Sequence, residues 1–177
     1  MKHLKTREEL LETELRQKGS ELYYNKEGQD FWGDKGAGIL PMFIYNGKAE
    51  FLVGLRGPEC NEPGTWGVWG GMIESGEKPA VAAKREFEEE SGYTGKIKLV
   101  PSYVFKTKGF EYYNFLGIVP KKFEPDLSDA LAWETTEARW VTLDEMSKLK
   151  LHFGLKSLIE NGRKDIEAVI ATATSRR

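Results

Sequence analysis

Residues 71–93, GMIESGEKPAVAAKREFEEESGY, constrain this chain more than any other stretch. Pro79 suits the first turn of a helix, and no Gly or Pro interrupts the run from Ala80 to Ser91. On a helical wheel Glu86, Glu89 and Glu90 fall within an arc of roughly 100°. Ala80, Ala83 and Phe87 form an adjoining apolar face, so the carboxylates sit beside the buried edge. Val81 fits neither face. Carboxylates held this close repel one another unless a cation joins them, and hard ions such as Mg²⁺ take oxygen ligands. Arg85 precedes Glu89 by one helical turn and is placed to pair with it, while Glu77 can brace Arg85 from the other side. The glycines before the helix let the backbone approach a metal or phosphate closely.

A run such as EFEEES is ordinarily a solvated helix face. The spacing of Gly71, Glu77, Arg85, Glu86, Glu89, Glu90 and Gly92 is harder to dismiss. If each residue type occurs about once in fifteen positions, a chance match is on the order of one in a million.

The rest of the 177 residues reads as one α/β or α+β domain. GILPMFIY and AEFLVGLR flank Asn46-Gly47-Lys48, a strong hairpin signal. The Gly- and Pro-punctuated GPECNEPGTWGVWGG reads as a loop. KIKLVPSYVFKT and FEYYNFLGIV form a second strand pair across Lys108-Gly109, and ARWVTL a short strand. Helical segments are expected near Asp144 and Lys156, with a frayed end at TATSRR. Residues 5–18 predict an extra N-terminal helix carrying Leu11 and Leu15 on one stripe, used for packing or for a homodimer contact. The expected divisions are 1–34 (helix and linker), 35–165 (domain) and 166–177 (helix end and tail).

Residues 71–93 resemble the Nudix box: Gly, five residues, Glu, seven residues, then Arg-Glu-aliphatic-any-Glu-Glu-any-Gly-aliphatic. Every charged and glycine position matches, whereas Phe87 and Tyr93 are aromatic at the aliphatic positions. The hairpin, the Arg56 region, the Trp66 loop and the segment from Trp140 also look like this family. Trp69 departs from it, standing where many members carry Pro. The resemblance implies an αβα sandwich around a mixed sheet and hydrolysis of a nucleoside diphosphate linked to another group. It implies Mg²⁺ or Mn²⁺ held by Glu86, Glu89, Glu90 and the Gly70 carbonyl, with catalysis also involving Arg85 and Glu77. Glu134, six residues before Trp140, matches the spacing of a further metal ligand or proton acceptor in MutT-type members. Glu137, nearer the strand, is expected to face solvent. The leading substrate class is a nucleoside triphosphate, including oxidised ones. ADP-ribose, nucleotide sugars and dinucleoside polyphosphates are the alternatives, and a non-catalytic nucleotide sensor is the least favoured.

Arg56, Trp66, Trp69 and Tyr112 are candidate substrate contacts, the aromatics by stacking on a base. His3, His152 and Cys60 have no ligand-like or base-like neighbours in sequence and read as ordinary residues. A lone cysteine forms no internal disulfide, which fits a cytoplasmic protein. The net charge of −2 argues against a nucleic-acid polymer as partner, and no apolar run is long enough to span a bilayer.

Overall fold

The computed structural model describes residues 35–107, 109–128 and 132–175, together with the backbone of β1 (Tyr23–Tyr24) paired antiparallel to β2 (Asp30–Phe31). The helix expected over residues 5–18 lies outside the described residues. Strands β3 (Lys35–Tyr45) and β4 (Lys48–Arg56) form the expected hairpin. Its turn needs positive φ at both central residues, and Asn46 (50°) and Gly47 (72°) provide it. The second pair is β7 (Lys98–Thr107) and β8 (Phe110–Ile118), with β8 parallel to β3. Strand β9 (Thr135–Val141) adds antiparallel to β4, which completes a mixed sheet with β5 (Trp66–Gly67) and β6 (Trp69–Met72).

β5 and β6 correct the expectation of a loop. Residues 66–72 carry no alternating apolar pattern, and glycines disfavour strands. Here the absence of side chains lets β6 pair closely with Gly36–Ile39 of β3.

The alternation of strand side chains divides the core in two. Ala37, Ile39, Leu52 and Phe115 meet Ala82, Ala83 and Phe87 of helix α1 (Pro79–Ser91) on one face. Leu40, Met42, Phe51, Val53 and Leu116 meet a helical layer on the other. That layer comprises α2 (Leu143–Met146), α3 (Phe153–Asn161) and α4 (Arg163–Ser175), contributing Met146, Leu155, Leu158 and Ile166. The boundary expected at residue 165 therefore falls inside α4, because the Ile166 side chain is fully buried in the core. The terminus expected to fray is helical through Ser175. Among the described residues no helix is long and apolar enough to cross a membrane.

Candidate metal and phosphate site

Helix α1 starts at Pro79 and stops at Gly92, which takes the left-handed conformation (φ 67°) and donates its N–H to the Glu88 carbonyl at 2.9 Å. Its inward face differs from the wheel reading in one respect. Ala82, not Ala80, is buried beside Ala83 and Phe87, since Ala80 stands exposed in the first turn. Val81 is 56% exposed, which accounts for its place outside the apolar pattern.

Glu86 and Glu90 are each 4% exposed, far more buried than a solvated face allows. What admits them is the pair of glycines in β6. A Cβ on Gly71 would lie 2.6 Å from the Glu86 carboxyl carbon, so only glycine leaves room for that carboxylate. The Gly70 N–H donates to Glu90 Oε2 at 3.1 Å.

Arg85 organises the acidic edge. Its Nε and Nη2 donate to the two Glu77 carboxylate oxygens at 2.9 and 3.0 Å, a two-pronged contact. Nη1 donates to Glu86 Oε1 at 2.7 Å and Nη2 to the Met72 carbonyl at 3.0 Å. The expected pairing with Glu89 is secondary, at 3.7 Å. Glu77 and the adjacent Glu86 hold the guanidinium because the chain before the helix folds back over it. These contacts lower the Glu77 pKa, chiefly through the Arg85 hydrogen bond, and raise that of Arg85. Glu77 also accepts the Glu74 N–H at 3.0 Å, which fixes the turn before the helix.

Two further candidate residues come from outside α1. Glu134 lies in the turn before β9, where its carbonyl accepts the Gly57 N–H at 2.8 Å and the Cys60 thiol at 3.3 Å. Arg56 ends β4 and donates from Nε to the Asn61 carbonyl at 2.7 Å. Tyr112 of β8 reaches with its hydroxyl to Gly38 and Gly70. Burial, then Glu90 and Glu86, raise its hydroxyl pKa; Glu134 raises it further and Arg56 lowers it. Glu86, Glu90, Glu134 and Arg56 thus lie within electrostatic reach of one hydroxyl, and Arg85 links Glu77, Glu86 and Glu89. Glu137 is exposed and pairs with Arg139 at 2.8 Å.

The two tryptophans do not take the stacking role. Trp69 is 1% exposed, donates its indole N–H to the Leu52 carbonyl at 3.0 Å and meets Phe87 edge-on at 6.0 Å. Trp66 is 7% exposed, packed in the opposite core with the Arg139 guanidinium 4.8 Å from its ring centre. Neither presents a free face to a base. His152 proves to be a helix cap: its Nδ1 accepts the Gly154 N–H at 3.2 Å and Nε2 lies 3.2 Å from Glu62. Burial, aided by Arg56, holds its pKa down to about 3, so it stays neutral. Sequence reasoning missed Asn114, which is 3% exposed, donates to the Tyr103 carbonyl at 2.9 Å and leaves its Oδ1 without a partner. An asparagine inside a strand carries no local signal of this.

The donors along this edge are carboxylate oxygens beside a glycine-cleared cradle around Glu86, the ligand chemistry of a hard divalent cation. Among the described residues, no three His, Cys, Asp or Glu side chains stand together so as to hold a metal ion. Instead Arg85 and the Gly70 N–H hold Glu86 and Glu90.

Comparison with known proteins identifies the fold and the family. A protein of Mycobacterium tuberculosis named "Putative 8-oxo-dGTP diphosphatase 3" is 29% identical over 148 residues, covering 80% of this chain and 67% of that protein. A "Nucleoside triphosphate pyrophosphatase/Nudix hydrolase fusion protein" of Bifidobacterium longum is 32% identical over 140 residues, 73% of this chain but only 28% of the fusion. Among solved structures, the Nudix hydrolase RenU of M. smegmatis superposes with a TM-score of 0.65 at 24% identity, covering 84% of this chain and 96% of its own. A mutT/nudix family protein of Listeria innocua gives 0.61 at 23% identity, over 78% and 97% of the two chains. The NUDIX domain profile matches residues 37–162, which span the mixed sheet, the glycine cradle and the acidic edge of α1, and the chain belongs to the Nudix hydrolase family.

Proposed function

We propose that the chain hydrolyses the pyrophosphate linkage of a nucleoside diphosphate joined to another group, with a nucleoside triphosphate, including oxidised forms, as the leading substrate. The observation that carries this reading is the burial of Glu86 and Glu90 against the side-chain-free Gly70–Gly71 strand. Buried carboxylates are costly unless an ion or hydrogen bonds compensate them. Arg85 and the Gly70 N–H offset part of that cost, and a cation at this edge would offset more of it.

Glu86, Glu89 and Glu90 would hold Mg²⁺ or Mn²⁺ with the Gly70 carbonyl, and Glu134 would close the site from β9's side. The bound ion supplies neutralisation of the diphosphate and a lowered pKa for the attacking water. Glu77 and Arg85 orient Glu86. Arg56 offers a permanent cation to a phosphate oxygen. One of the carboxylates accepts the proton of the attacking water. The name of the Mycobacterium relative favours an oxidised nucleoside triphosphate among the candidate substrates.

The test is release of phosphate or pyrophosphate from a panel with Mg²⁺. The panel holds normal and oxidised nucleoside triphosphates, ADP-ribose, nucleotide sugars and dinucleoside polyphosphates. Turnover should stop with excess chelator, and Glu89→Gln should lower kcat by several orders with the fold intact. Full turnover in chelator, or wild-type rates for that variant, would refute the metal-dependent reading. A panel answered best by ADP-ribose or a dinucleoside polyphosphate would reassign the substrate alone.

A further inference from the structure

Three strand glycines stand together without a conformational reason. Gly36 and Gly38 of β3 and Gly70 of β6 lie outside the positive-φ region that favours glycine. Glycine inside a strand is destabilising, and it commonly marks a place where another group approaches the backbone.

The approaching group is Tyr112. β8 runs parallel to β3 with Tyr112 opposite Gly36. A Cβ on Gly36 would stand 2.7 Å from Tyr112 Cδ2, and one on Gly70 would stand 2.5 Å from the hydroxyl. A Cβ on Gly38 would overlap that same hydroxyl. The side chain therefore crosses from β8 over β3 and delivers its oxygen against β6. It arrives at the residue whose N–H holds Glu90.

Ring packing accounts for Gly36. It does not account for Gly38, where the oxygen is the nearest atom; at Gly70 the oxygen shares the cleared space with the β3 backbone at Ala37 and Gly38. The oxygen stands at the backbone of Gly70, whose N–H holds Glu90, and lies within electrostatic reach of Glu86, Glu134 and Arg56. Among carboxylates a phenol stays protonated, and what it can offer them is a hydrogen bond.

We propose that Tyr112 is a positioning residue of the carboxylate site. Its hydroxyl would donate to the carboxylates of α1 and of the turn before β9 as these close on a cation. It thereby holds carboxylates from two elements at the separation a divalent cation requires. This inference rests on the metal-dependent reading above.

The experiment uses the full chain as wild type, Tyr112→Phe and Gly38→Ala. Mn²⁺ binding to the nucleotide-free protein is followed by titration calorimetry or electron paramagnetic resonance, and kcat and KM are measured separately. Tyr112→Phe keeps the ring and should weaken Mn²⁺ binding about tenfold or more, the scale of losing a partner that orients metal ligands. It should lower kcat with little change in KM. Gly38→Ala should have the same effect by displacing the hydroxyl. If Tyr112→Phe binds Mn²⁺ and turns over like the wild type, the hydroxyl has no such role and the inference falls, with the metal reading untouched. If the wild type binds no Mn²⁺, both fall together.

Discussion

Phe87 and Tyr93 are aromatic where the Nudix box calls for aliphatic residues, and Trp69 replaces a common Pro. Singly these substitutions have no rationale in the sequence. In the fold Trp69 and Phe87 meet edge-on at 6.0 Å, Phe87 and Tyr93 lie 5.7 Å apart, and Phe123 packs on both of the latter. The departures from the family pattern are thus one packing solution, on the face of α1 next to the buried glutamates. At the same scale, Glu134 and Glu137 are separated by their surroundings. Glu134 is half-buried in a turn tied to Gly57 and lies within electrostatic reach of Tyr112. Glu137 is exposed and paired with Arg139. Glu134→Gln is expected to lower kcat roughly 10²-fold or more, the scale of losing a proton acceptor or ligand. Glu137→Gln should change little. Equal rates for the two variants would remove Glu134 from the site.

Helix α1 has a weak start and a strong stop. Lys78 offers no side-chain cap, and Pro79 fixes the first turn instead. The stop at Gly92 uses a left-handed conformation, and the Asp126 N–H covers the Ser91 carbonyl at 2.9 Å. A Cβ on Gly92 would also come within 3.2 Å of Asp126 Cβ. Gly92→Ala should therefore reduce unfolding free energy by about 1–2 kcal/mol, from the left-handed backbone cost and this contact. Denaturant titration checks it; an unchanged midpoint would show that the helix end relaxes freely. The loop from Gly57 to Thr65 is an element of a different kind, with almost no secondary structure of its own. It is secured to the Glu134 carbonyl at one end and, through Glu62, to His152 and the Phe153 N–H of α3. Arg56 leans on its Asn61 carbonyl, so the loop ties the position of this cation to that of Glu134.

For the whole molecule, the sheet separates two cores, and the acidic edge of α1 meets β6 at Gly70 and Gly71. The expected leucine-striped helix over residues 5–18 would add to this frame without entering the site. Deleting residues 1–20 should lower thermal stability or change the molecular mass in solution while some turnover persists. Sedimentation or light scattering, run beside the activity assay, decides this. A folded truncation of unchanged mass with no activity would place the segment in the catalytic machinery.

The hairpin at Asn46-Gly47, the limits of α1 and the acidic arc were legible in the sequence because each depends on local rules: turn chemistry, proline and glycine positions, and helical periodicity. Two-sided strand burial was only partly legible, since the residue pattern does not say which helix covers which face. Strand β6 was read as loop because its pairing with β3 is non-local, and its glycines hide rather than announce a strand. The stacking role expected of Trp66 and Trp69 failed for a related reason. A tryptophan has the same composition in a core as at a binding face, and only tertiary packing decides between them. Periodicity determined that the glutamates share one edge of a helix. Their burial, the contact of Glu90 with the Gly70 N–H, and the approach of Tyr112 to Gly38 and Gly70 were decided by strands distant in sequence, because close approach in space is a property of the sheet.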